Sequence, residues 1–129
     1  MTRPPSGMPP PRTAELDGVT IELTPLAEAI AERYFAEFPE DLERYGDAAM
    51  PWEIHDTLHT LNWAVLDVRG FASLEKNMLW LAQVLVARDF PLEHLARNVE
   101  LCADVVGDER VAATLRSAAT AVRAVELAR

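Results

Sequence analysis

Cysteine is nearly missing from this chain: Cys102 stands alone among 129 residues, so no internal disulfide can staple the fold. Histidine is almost as sparse, with only His55, His59 and His94, and no second Glu-x-x-His or His-x-x-x-Glu repeats the pattern of a carboxylate-bridged bundle. Glycine is limited to five positions, none of them in a phosphate-cradling loop, and no serine sits in a nucleophile elbow. Enzyme chemistry therefore has no local signature. Long apolar runs are absent as well. Asp67, Arg88 and Asp104 interrupt the longest ones well short of the roughly 20 residues that a bilayer crossing requires.

Basic residues are outnumbered, 12 against 21 acids, and the imbalance is local. Residues 13–60 hold twelve acids against Arg33 and Arg44, whereas residues 61–129 hold nine acids against eight bases. An acidic first half repels phosphate backbones and anionic lipid, so nucleic-acid and membrane-surface binding are disfavoured and a basic protein or a cation is the better partner. The same acidity also keeps a protein dispersed in water. With a lone thiol and no secretory leader pattern, the expected compartment is the cytoplasm.

What is present is helical punctuation. The first twelve residues carry five of the nine prolines and no periodicity, which predicts a disordered tail over 1–12. GVTIEL (18–23) alternates and is β-branched, so residues 13–23 are expected as an extended arm along the body, without an evident strand partner. From residue 24 to 129 the pattern predicts an all-α, single-domain bundle of five to six antiparallel helices. Thr24 before Pro25 reads as a helix start, and Leu26, Ile30, Tyr34 and Phe38 keep one face apolar. Further helices are expected over Pro39–Gly46, about 48–69, 73–88, from Pro91 to Gly107, and from the Asp108 cap to about Leu127. Their apolar positions step by threes and fours: Ile54, Leu58, Leu61, Val65 and Val68; Leu74, Met78, Leu81 and Leu85; Leu92, Leu95, Val99, Cys102 and Val106; Val111, Leu115, Ala118, Val122 and Val125. Cys102 on such a stripe is expected in the core, not as a nucleophile.

The 48–69 segment carries a second apolar sector, Trp52, His55, His59, Trp63 and Leu66, about 100–180° round the helix from the main stripe. It is therefore expected to be a central helix packed on several sides. Trp52, His55, His59 and Trp63 form the candidate ligand pocket. Two imidazoles at i and i+4 stack on one face and can chelate a metal, so His55, Asp56 and His59 are the alternative metal-binding set. A haem or other flat chromophore, with His55, His59 or His94 as axial ligand, is the remaining cofactor option, although no cofactor is required by the sequence. In the 73–88 segment Trp80 and Val84 fall opposite the core stripe, flanked by Lys76 and Arg88. That is the composition of an interface centre. The acidic stretch Glu37 to Asp47 is a second candidate contact zone.

Four strings, FPEDLERYGD (38–47), LNWAVLD (61–67), LWLAQVLVARDFP (79–91) and LARNVEL (95–101), together resemble a small bacterial helical domain found beside or fused to sensor and cobalamin-binding modules. The resemblance spans about residues 25–106. That pattern has an acid where this chain has His55, and its histidine falls at Thr60. The resemblance implies a regulatory or sensory bundle and carries over no catalytic residue. The resulting expectation is a non-enzymatic bacterial domain acting through protein–protein contact, by occlusion or scaffolding, with a homodimer through the Trp80 face as one form of that contact.

Overall fold

A computed structural model describes residues 9–129, so most of the expected 1–12 tail, residues 1–8, lies outside the described residues. Thr13–Leu16 (β1) and Val19–Glu22 (β2) pair antiparallel, Leu16 opposite Val19 and Thr13 opposite Glu22. The expected isolated arm is thus a hairpin. Its turn is Asp17–Gly18, both with positive φ (54° and 78°), the backbone that a two-residue hairpin loop demands and that Asp-Gly supplies. Ala14 and Leu16 turn inward, and the Leu23 amide donates to the Arg12 carbonyl at 2.8 Å, closing the hairpin's open end.

Six α-helices follow among the described residues: Leu23–Glu37 (α1), Pro39–Tyr45 (α2), Ala49–Val68 (α3), Leu74–Ala87 (α4), Leu92–Val106 (α5) and Glu109–Ala128 (α6), with one 3-10 turn at Gly46–Ala48. The all-α bundle is therefore observed, with the hairpin as its only sheet among the described residues. Leu23 is the first residue of α1 and is fully buried, so the helix starts two residues before the expected Pro25. Thr24 is not the cap: Glu22 occupies that place and the buried Thr24 hydroxyl has no partner. Side-chain caps do form elsewhere. Ser73 Oγ accepts from the Lys76 amide, and Asp108 Oδ1 accepts from the amides of Arg110 and Val111 at 2.9 and 3.1 Å. Gly107, at φ 86°, ends α5 in a conformation that costs an L side chain strain.

The strongest packing is α5 on α6, followed by α1 on α3, α1 on α5, and α4 on α6. Consecutive helices are not always the main partners. α4 leans on α6 and touches α3 and α5 only lightly. The core they enclose is small-grained: Leu, Val and many alanines, with Leu61, Leu74, Met78, Val99, Cys102, Val111, Leu115 and Val122 fully buried. Alanines at the contacts let helix axes approach closely. On the surface a chain of ion pairs crosses α1, α5 and α6. Arg97 grips Glu37 with two hydrogen bonds of 2.7 and 2.8 Å, and Arg123 bridges Glu93 and Glu100. Arg110 ties the α6 start to Asp17 of the hairpin turn. No helix among the described residues is long and apolar enough to cross a membrane.

Candidate functional site

α3 is amphipathic in an unusual way. Thr57, Leu58, Thr60, Leu61, Ala64 and Val65 are its buried stripe, and the sector holding Trp52, His55, His59, Trp63 and Leu66 is centred about 180° away at the ideal turn angle. All five of those side chains are half-buried. The four rings expected to line a pocket form a half-buried ladder. Trp52 meets His55 edge-on at 6.0 Å, His55 meets His59 edge-on at 4.8 Å, and His59 stacks on Trp63 at 5.5 Å. Each ring shelters the next from water, and Trp63 also packs against the core. The two best-formed cavities lie elsewhere: about 330 Å³ between the α3 C-terminus, α4 and α6, and about 250 Å³ beside Phe90 and Arg129.

His55 Nδ1 lies 3.0 Å from Asp56 Oδ1, so the carboxylate fixes that ring nitrogen. The His59 pKa is lowered, first by burial and then by the neighbouring His55. Among the described residues no three His, Cys, Asp or Glu side chains gather as a metal cluster. Asp56 is thus a partner of His55 and does not join it and His59 in a three-ligand set. For axial haem ligation, His94 is on α5 and distant from the ladder in its contacts: its ring stacks on Phe38 at 3.9 Å, with Phe90 edge-on at 5.9 Å.

On α4, Trp80 is 62% exposed, Lys76 and Arg88 are exposed and Val84 is half-buried. Phe71, in the turn before α4, is 71% exposed beneath the Arg69 guanidinium. None of the three tryptophans is fully buried, and Trp63 is packed against the core from α3.

A buried polar relay links three helices and left no mark on the sequence reading. Asp41, in the middle of the acidic stretch, is 4% exposed. Its Oδ2 accepts from the Tyr34 hydroxyl at 2.5 Å and pairs with His94 Nδ1 at 2.9 Å, fastening α2 to α1 and α5. Burial, then the bond to Asp41, drives the Tyr34 pKa far up, so the phenol keeps its proton and donates it. The acidic stretch is thereby divided: Asp41 is internal, Glu37 is engaged by Arg97, and Glu43 and Asp47 remain exposed. Nearby on α3, Glu53 accepts from the Thr57 hydroxyl at 2.7 Å. Desolvation is the main cause that lifts its pKa to about 8, opposed by that bond and reinforced by Asp56 and Asp41. Cys102, fully buried, has its thiol pKa raised by desolvation and then by Glu53.

The relay's carboxylate is nearly closed off from solvent and shared by two protein donors, which fastens three helices together. No family model, no curated protein and no solved structure matches the chain.

Proposed function

We propose that this chain is a non-enzymatic helical domain that works by protein–protein contact, in a regulatory or sensory role. One observation carries the reading: Trp80 on α4 is 62% exposed, although tryptophan is the largest apolar side chain available and the core is closed by smaller ones such as leucine, valine, isoleucine, methionine and alanine. Tryptophan is ordinarily well buried, and on a surface it is the residue most enriched at the energetic centres of interfaces. Trp80 has the surroundings of such a centre, with Lys76 and Arg88 as a polar rim and Val84 beside it. The partner is a protein. A second copy meeting face to face is its simplest form, since one patch can pair with itself about a twofold axis.

Sedimentation velocity on wild type and Trp80→Ala tests this. Self-association weakened by Trp80→Ala, with unchanged helical circular dichroism, supports a homodimer through α4. If wild type is monomeric, the same pair of proteins serves as bait for a heterologous partner, and capture must fall with Trp80→Ala. Association that is equal for both proteins removes Trp80 and, with it, this reading.

A further inference from the structure

We propose that His55 and His59 form a two-imidazole chelating site for a divalent transition-metal ion on the outer face of α3. The supporting geometry is independent of whether a protein also docks there. An imidazole nitrogen bonds such an ion at about 2.0–2.1 Å, which puts the ring centre about 3.2 Å from the metal; two rings at angles of about 90–110° then have centres roughly 4.5–5.2 Å apart. The His55 and His59 centres are 4.8 Å apart. Rotation of either ring about its Cβ–Cγ bond turns a nitrogen toward the shared point and leaves the centre in place, because that bond axis passes through the ring.

The tautomer is prepared as well. Asp56 Oδ1 lies 3.0 Å from His55 Nδ1, and a proton held there leaves Nε2 bare as a ligand. Asp56 thus positions a ligand without being one. The ladder also holds its rings in place: Trp52 backs His55 and Trp63 backs His59, which lowers the ordering cost of chelation. Two nitrogen ligands and no third protein ligand among the described residues make an open site, with remaining positions left to water or to a partner's side chain. Imidazole donors select late first-row ions over magnesium or calcium, with copper strongest.

The flanking tryptophans are the reporter, because a bound paramagnetic ion such as Cu²⁺ quenches indoles within contact distance. Cu²⁺ is titrated into the full chain while tryptophan emission is followed, with Zn²⁺ added as a non-quenching competitor. Saturable one-to-one quenching, reversed by Zn²⁺, is expected. Either His55→Gln or His59→Gln should weaken it about 100-fold by removing the chelate, and Asp56→Asn about tenfold. Quenching of the same depth in a Trp52→Phe/Trp63→Phe variant would place the ion elsewhere and overturn the assignment. So would an affinity that either histidine variant leaves unchanged while its helical spectrum is intact. Should a glutamine variant lose its helicity, the tryptophan-to-phenylalanine variant and Zn²⁺ competition decide on their own. Failure of this site leaves the Trp80 interface standing, and loss of the Trp80 interface leaves the site standing, since the two are read in separate assays.

Discussion

Replacing Asp41 by alanine should destabilise the protein by about 2–4 kcal/mol, the largest effect of any single charged residue here. Asp41 is nearly fully buried and one of its oxygens serves both Tyr34 and His94. A hydrogen bond with one charged partner is worth about 1.5–3 kcal/mol net, and a buried donor left unpaired costs about 1–3 kcal/mol. Alanine loses both bonds and strands the Tyr34 hydroxyl, which is buried with Phe35 and Phe38 against its ring. Entry of water into the vacated space recovers part of that sum. Asp41→Asn keeps an acceptor of the same shape and surrenders only the charge, so about 1–2 kcal/mol is expected. Urea unfolding followed by circular dichroism at pH 7 measures each variant, provided the slope against denaturant is unchanged. The decisive comparison is Tyr34→Phe in two backgrounds. In wild type it removes a good bond and should cost about 1 kcal/mol; in Asp41→Ala it removes a stranded hydroxyl and should cost nothing or stabilise. If Tyr34→Phe costs the same in both, or Asp41→Ala costs less than about 1 kcal/mol, the relay does not hold the fold.

Three further outcomes follow from the same structure. Cys102, buried and with its thiol pKa raised, should react with a disulfide reagent at pH 8 only as fast as the protein opens; rapid single-phase labelling of native protein would contradict its place in the core. Glu93 and Glu100 have their carboxyl pKa values lowered chiefly by hydrogen bonds from Arg123, so their contribution is present above the ordinary carboxylate range and is lost as pH falls through the depressed values; Arg123→Ala should lower stability by about 1 kcal/mol at pH 7, these groups being partly exposed, and the gap to wild type in thermal melts should narrow toward pH 3. Asp108→Ala removes an acceptor from two amides at the start of α6 and should lower the urea midpoint, with Asp108→Ser recovering most of the loss.

The helices were legible because their signals are local. Apolar steps of three and four, with Gly46, Gly70 and Gly107 at the ends, mark the helical segments that the structure contains. Asp108 was legible as a cap for the same reason, since acceptor and amides are within three residues. The hairpin was equally local, written in Asp17–Gly18 between Leu16 and Val19, but β1 is only four residues and alanine and glutamate have little strand preference, so its alternation was too short to register and β2 looked solitary. Thr24 shows the limit of such punctuation: with the Leu23 amide bonded to the Arg12 carbonyl at the hairpin's end, α1 starts two residues early and the threonine lies inside the first turn.

The candidate site was legible only as a helix face. α3 is central, as its two apolar sectors predicted, meeting α1, α2, α4, α5, α6 and β1, yet Trp52, His55, His59 and Trp63 are only half-buried. Hydropathy counts Trp52 and Trp63 as reasons for burial, so a second apolar sector on α3 predicted a second covering element. α4 packs mainly on α6 and only lightly on α3. Trp63 packs against the core while the rings also cover one another, so a pattern that reads as core becomes a half-buried ladder of aromatic and imidazole rings. The relay was hidden for the converse reason. Asp41 sits in a run of charges that looks solvated, and its two partners are seven and 53 residues away. An aspartate among glutamates looks like surface until the fold brings a phenol and an imidazole to it, and nothing in the local spacing of residues 37–47 distinguishes it from Glu40 or Glu43.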